Sequence, residues 1–401
     1  MALHTKIGAE ASKDRGGTAL KAVMLVGGLG TRLRPLTLDT KKELMPVAGR
    51  PFLEHVLANL AKHGVDEAIL TTGYLADAFE TFPSHHTHGV KLTIVREEEP
   101  LDTCGAVKNV EHLLDGTFLV CNGDILTGLD ISSLVAYHRE RETLGTLTLK
   151  PVEDPSAYGL VPVDDDGRIE RFIEKPKTKE EVVTDLINAG TYVLEPDALN
   201  YVPGGEPFSF EGGVRSGGRV DVGLFPLLLA EGEALYGYVS RDYWLDTGTP
   251  EKYIQANRDV LAGDVGLDPA GLGSAGRVWI GRGAEVDPSA SLAGPCAVGG
   301  GCTVERGATI GPYSSIGQRC RIGAGAVVGE SVLHDDVIVG GGTTVAGSVL
   351  GNEVRIGPGC TVDDAVVGAG VRIGASNELR RGIRLWPGVD VPDRGITFRA
   401  E

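Results

Sequence analysis

The chain has 401 residues, 42% hydrophobic and 23% charged, which is enough apolar material for two cores and too much for general disorder. Its formal net charge of -17, with no basic stripe to offset it, repels a phosphate backbone and excludes nucleic acid as the main partner. The longest apolar run, Leu224 to Ala230, is interrupted by Pro226 and falls well short of the roughly 20 residues of a membrane helix. Six cysteines include no CxxC pair and no zinc-site rhythm with histidine, so reduced structural thiols are expected.

Residues 1–20 are polar, small and mixed in charge, without the apolar region of a secretion signal, and are expected to form a loose tail on a cytoplasmic protein. A strand is predicted over Ala22 to Val26, running directly into LVGGLGTRLRPLT, Leu25 to Thr37. Glycines at a strand's carboxyl end suit a phosphate loop: Gly27, Gly28 and Gly30 can turn backbone N–H groups to an anion, and Arg32 adds a planar fork of donors. It is neither a Walker loop, because no GK[ST] follows, nor a dinucleotide fingerprint, because Leu33 stands at the third glycine position. On this stretch alone, a glycine-rich turn without a ligand remains the alternative.

Helical and β-type runs then alternate: Pro51 to Lys62, Ala68 to Thr72, Leu92 to Val95, Thr117 to Cys121, Ile131 to Arg141. That order predicts an α/β fold, a Rossmann-like domain with helices on both faces of a mixed, mainly parallel sheet. In such sheets ligands sit at the carboxyl ends of the strands.

The motifs continue with KKELMPVAGRP at Lys41 to Pro51, EEEPLDTCGA at Glu97 to Ala106 and CNGD at Cys121 to Asp124. After them come YG at Tyr158 and Gly159, FIEKP at Phe172 to Pro176, INAGTYVLEP at Ile187 to Pro196 and YWLDTGTPEKY at Tyr243 to Tyr253. With the glycine loop and in this order, they resemble the sugar nucleotidyltransferase family, specifically its mannose-1-phosphate guanylyltransferase branch, over Lys21 to Leu261. The resemblance implies an in-line displacement, in which a sugar 1-phosphate oxygen attacks the α-phosphorus of a nucleoside triphosphate and pyrophosphate leaves. Such chemistry is mostly positioning and charge neutralisation, aided by Mg²⁺. It implies Asp124 and Asp246 as metal-binding carboxylates, and Arg32 and Lys42 as cations on the triphosphate. Leu25, Gly27, Gly28, Gly30, Thr31, Asp102, Thr103, Gly105 and Asn122 would line the nucleotide, while Tyr158, Gly159, Glu174, Lys175, Asn188 and Gly190 would line the sugar phosphate.

Two departures stand out. The family's lysine sits between two prolines, whereas Lys41, Lys42 and Glu43 occupy that stretch here, so Lys41 could replace Lys42 by a shift of one residue. Asp102 stands where the family has glycine, beside the base; a carboxylate there could accept from N1–H and the 2-amino group of guanine, or simply face solvent. The acidic cluster Glu97 to Glu99 is expected to be a solvated turn.

Residues 263–276 are glycine-rich and read as a linker between a domain at 21–262 and a second at 277–401. In the second, aliphatics recur at steps of six from Ile280 through Val286, Leu292 and Val298 to Val328, then in coils one residue shorter from Leu333 to Leu385. This hexapeptide period resembles the left-handed parallel β-helix family. Two residues before each aliphatic the slot is mostly small, as at Ala284, Cys296, Cys302, Ala308, Ser314, Cys320 and Cys360, which gives four of the cysteines a steric explanation.

Two rival functions follow from the same features. A non-catalytic regulatory subunit that binds nucleotide sugar would tolerate the departures at Lys42 and Asp102, but it gives no reason for Arg32, Asp124, Lys175 and Asp246 to occur together. An acyltransferase, for which this β-helix is also used, would want a histidine base, and His334 is the repeat's only histidine, with no long loop beside it. The repeat is therefore expected to be a scaffold for homo-oligomerisation, with Trp279, Tyr313 and Trp386 outside the inward register and available for contacts.

Overall fold

The computed structural model describes residues 20–397 except 74, 83–85, 174–175, 177, 215–219 and 267–276. The tail expected at 1–20 thus lies outside it but for Leu20, as does most of the glycine-rich stretch at 263–276.

The first half is built on a seven-stranded sheet. Its strands are β1 (Leu20–Leu25), β2 (Val65–Thr72), β3 (Lys91–Arg96), β4 (Phe118–Asn122), β5 (Gly145–Pro151), β6 (Leu186–Leu194) and β7 (Leu235–Val239), in the spatial order β7-β5-β6-β4-β1-β2-β3. All neighbours are parallel except β6, which runs antiparallel to both β4 and β5. Burial on both faces explains why the central strands read as unbroken apolar runs. Ala22 and Met24 of β1 enter one core with Leu119 and Cys121 of β4, while Val23 and Val120 enter the other. Helix α1 (Phe52–Lys62) sets Phe52, Leu53, Val56, Leu57 and Leu60 against the first of these cores, at the spacing of one helical face.

From β1 the chain works outward through β2 and β3, then returns to the other side of β1 for β4. The crevice of a sheet opens where its order reverses in this way. Both the glycine loop after β1 and the Asn122-Gly123-Asp124 turn after β4 project there, tied by Gly123 N–H donating to the Leu25 carbonyl at 3.0 Å.

The second half, Val278 to Val391, stacks short strands into three parallel sheets of seven, seven and six strands. Val298, Val304, Ile310, Ile316, Ile322 and Val328 are buried as the period requires, and so are Leu333, Val339, Val345 and Leu350. The first coil differs: Ile280 is 52% exposed, because a terminal coil has a neighbour on one side only.

One outward column of this β-helix is apolar. Trp279, Ala297, Ser315, Val332, Val349, Val366 and Arg384 pair rung upon rung. Ala297, Val332, Val349 and Val366 are buried in the same core as α1, with Trp279 packed against it. The corresponding column on a second face, Thr303, Arg321, Ile338, Arg355 and Arg372, is mostly polar. The two halves are thus joined through one apolar face of the β-helix. Of the three outward aromatics, Trp279 and Tyr313 meet the first half, Tyr313 beneath the Arg258 guanidinium at 4.6 Å, whereas Trp386 is 50% exposed.

Candidate active site

The glycine loop leaves β1 and tightens into a single 3-10 turn, Thr31–Leu33. Gly30 precedes that turn with φ +58, a left-handed conformation that glycine adopts without steric cost, and its carbonyl accepts from Thr37 Oγ1 at 2.7 Å. Leu33 and Leu36 are buried beneath the loop, which leaves Thr31 and Arg32 exposed above it.

The two adjacent lysines have separate fates. Lys41 is 2% exposed and donates from Nζ to the Val26 carbonyl at 2.7 Å, bracing the strand end from behind. Lys42 reaches into the crevice, its Nζ 2.7 Å from Asp124 Oδ2 and 3.5 Å from where a side chain on Gly28 would begin. Burial opposes the charge on Lys42, but Asp124 and Glu43 outweigh it and hold the ammonium above its usual range. Glu43, where a proline belongs in the family pattern, is fully buried; burial pushes its carboxyl up to about 7.

A two-stranded ribbon brings the second carboxylate in. Strand Trp244–Asp246 pairs antiparallel with Ile125–Thr127, setting Asp246 opposite Ile125, and Thr247 donates to the Asp124 carbonyl from N at 3.1 Å and from Oγ1 at 2.8 Å. Burial and the neighbouring Asp124 raise the Asp246 carboxyl above its ordinary range. Arg32 Nη2 lies 3.7 Å from Asp246 Oδ2. Helix Pro250–Ala262 follows, with Thr249 as its N-cap and Pro250 at its first position.

Across the crevice Asn188, Gly190, Tyr158 and Gly159 meet. The Gly159 carbonyl accepts from Asn188 N–H at 3.4 Å, and Gly190 N–H donates to Asn188 Oδ1 at 3.0 Å. Gly190 has φ +72 and lies so close to Asn122 that an added Cβ would stand 3.0 Å from that side chain's Cγ. Tyr158 packs edge-on against Trp244, and the nearby Asp246 charge is one reason, after burial, that its hydroxyl pKa is raised. Glu174 and Lys175 lie outside the described residues.

The expected base-side residues open helix Asp102–Asn109. Asp102 has φ +60, which accounts for glycine in the family pattern, and its Oδ1 accepts from Thr103 N–H at 2.7 Å. Thr103 and Gly105 are pinned to the segment beside them: Thr103 Oγ1 accepts from Phe210 N–H at 3.2 Å, and Gly105 N–H donates to the Phe208 carbonyl at 2.8 Å. Within the acidic cluster only Glu98 and Glu99 are exposed. Glu97 turns inward, accepts from Leu101 N–H at 3.1 Å, and lies 3.6 Å from where a Gly27 side chain would begin. Its position beside the glycine loop carries no sequence signal beyond its place at a strand end. Trp244, which packs against Tyr158 and donates to the Ala189 carbonyl at 2.9 Å, carries no sequence signal beyond its place in a motif.

Residues 21–263 match the family described as Nucleotidyl transferase, and residues 275–391 match the EIF2B subunit epsilon LbH domain. Over 383 residues the chain is 42% identical to a mannose-1-phosphate guanylyltransferase of Mycobacterium tuberculosis, covering 95% of this chain and 98% of the relative. It is 30% identical to a UTP--glucose-1-phosphate uridylyltransferase of Synechocystis, covering 71% and 79% respectively. Among solved structures, HddC from Yersinia pseudotuberculosis, also crystallised in complex with GMP-PN, superposes with TM-scores of 0.51 and 0.50 at 28% identity, over 60% of this chain and 99% of the other.

Proposed function

The chain belongs to the nucleotidyl transferase family, and from that premise we propose that it transfers GMP from GTP to mannose 1-phosphate, releasing pyrophosphate. One observation carries the reading: two cations and two carboxylates, Arg32, Lys42, Asp124 and Asp246, converge beside a glycine loop at the carboxyl end of the sheet. Such a set suits a reaction that must bring two anions together.

The exposed loop at Thr31 and Arg32 receives the triphosphate, its charge answered by Arg32 and Lys42. Tyr158, Gly159, Asn188 and Gly190 face the sugar phosphate, and by resemblance Lys175 and Glu174 hold its phosphate and hydroxyls. An oxygen of that phosphate attacks the α-phosphorus as the bond to the pyrophosphate oxygen breaks. The side chains mainly align the two anions and balance their charge. Asp124 and Asp246 suit a divalent cation, because two hard carboxylates facing one another leave Asp246 raised by burial and repulsion. Among the described residues no group of three metal-binding side chains is assembled, so phosphate oxygens would complete the shell of Mg²⁺. When bound, that ion would neutralise phosphate charge.

Guanine preference is supported by the mannose-1-phosphate guanylyltransferase quoted above; Asp102, which is exposed with Oδ1 bonded to Thr103 N–H, is the carboxylate that would accept from the base. A cytoplasmic homo-oligomer formed through the β-helix belongs to the same proposal, supported by the exposed Trp386 and Ile280 on its terminal coils. Among the described residues no helix is long and apolar enough to cross a membrane. The test is a matrix of nucleoside triphosphates against sugar 1-phosphates, read by pyrophosphate release, in which GTP with mannose 1-phosphate should be fastest. A faster pair would refute the assigned substrates, and no release with any pair would favour the regulatory-subunit reading.

A further inference from the structure

The apolar docking column of the β-helix ends in a charge, and that charge reaches the glycine loop. Arg384, the rung after Val366, donates from Nη1 to two main-chain carbonyls of the first half, Arg32 at 3.1 Å and Arg34 at 2.7 Å. These carbonyls belong to the segment that carries Arg32 toward Asp246. A short turn after three glycines has many conformations to lose when an anion binds, and holding it beforehand reduces that entropic cost. A guanidinium can satisfy two carbonyls at once while the loop's opposite side stays open to solvent.

A second contact runs parallel to the first. His334 of the β-helix lies with Nε2 3.1 Å from Tyr253 Oη, and that hydroxyl donates to the carbonyl of Pro46. Pro46 closes the lysine segment in which Met45 N–H is bonded back to the Lys42 carbonyl at 3.3 Å. The β-helix therefore contacts the main chain of the Arg32 segment directly, and that of the lysine segment through Tyr253. Arg384 also lies near enough to Glu251 to contribute to its lowered carboxyl pKa, though less than the hydrogen bonds there, and Glu251 lies in the first turn of the helix that follows Asp246.

We infer that Arg384 is a positioning residue for the nucleoside triphosphate, so that the β-helix sets the attitude of the phosphate loop in addition to serving as a scaffold. The inference rests on reading that loop as the triphosphate site. Its test uses the full chain and two variants, Arg384→Met, which keeps the stem, and Arg384→Lys, which keeps a charged donor. Arg384→Met should raise KM for the triphosphate roughly tenfold, the effect of losing a charge-assisted contact that orders a binding loop, while KM for the sugar 1-phosphate and the melting midpoint stay unchanged. Arg384→Lys should recover much of the loss. An unchanged triphosphate KM, or equal increases for both substrates with a lowered melting midpoint, would overturn the inference. Calorimetric titration with inorganic tripolyphosphate separates the two readings. Tight binding by the unsubstituted chain and weaker binding by Arg384→Met supports the clamp whatever pair is turned over; equal binding by both overturns the clamp alone; no binding by either overturns the assigned triphosphate site and the clamp with it.

Discussion

The interior of the β-helix and the carboxyl end of the sheet bury opposite kinds of side chain. Inside the β-helix, aliphatics alternate with small residues whose polar atoms are matched to a neighbouring coil: Cys302 Sγ to the Gly317 carbonyl at 3.0 Å, Cys320 Sγ to His334 at 3.1 Å, Thr343 Oγ1 to Gly357 at 2.8 Å. Where the slot holds cysteine or threonine it is thus a hydrogen-bonding slot as well as a steric one. Beside the glycine loop, by contrast, Lys41 and Glu43 are 2% and 0% exposed, and neither Glu43 oxygen has a hydrogen-bond partner among the described residues. Burying charge is unfavourable unless it is compensated, and Glu43 responds with a carboxyl shifted to about 7. The difference teaches that the repeat buries polar atoms already matched to partners, whereas the crevice buries charges that burial itself disfavours.

That contrast breaks first at the carboxylates. Asp124→Asn and Asp246→Asn should each lower the rate of pyrophosphate release by about 10² or more with the melting midpoint little changed, since each removes a charge facing the phosphates. Near-normal rates in either variant would remove that residue from the site.

The lysine pair sharpens it. Lys42→Ala should slow turnover by about 10², because Lys42 alone of the two lies against Asp124. Lys41→Ala should instead mainly lower stability, by about 1–3 kcal/mol, through the unpaired Val26 carbonyl it leaves behind. Parallel rate and denaturation measurements check this, and the reverse ranking would place Lys41 at the phosphates.

Between the two regions, His334 gives a smaller effect that depends on pH. Burial lowers its pKa from 6.5 to about 4, so it is neutral in the folded protein where the unfolded chain would already take up a proton. Its contribution is therefore present above pH 6.5 and lost as pH falls from 6.5 through 4, by up to about 3 kcal/mol. Melting midpoints of the full chain should fall over that window more steeply than those of His334→Gln; parallel curves would show that the histidine is not buried at the junction.

The sequence made these regions legible to different degrees. A residue repeated every six positions states its own environment, so the inward register could be read from Val298 to Leu379 without reference to any other part of the chain. The sheet and its glycine loop followed from apolar runs ended by glycine. The register of Lys41 and Lys42 is open in the sequence because adjacent lysines look alike in a linear pattern, and only the turn at Lys42–Leu44 decides which one faces Asp124. Glu97 carries no local cue to its contact with the loop, so the sequence alone places it in solvent with Glu98 and Glu99. Arg384 had no signal, since its partners are 352 and 350 residues away and are main-chain carbonyls, which leave no mark on side-chain pattern.

The fate of the α-phosphorus tests the central claim most directly. The full chain would be incubated with GTP labelled at that atom, mannose 1-phosphate and Mg²⁺, and the products separated. The account predicts label in a nucleotide sugar, with one pyrophosphate released for each molecule formed. Label that stays in GTP, or that passes to GMP or GDP without a sugar attached, would contradict it.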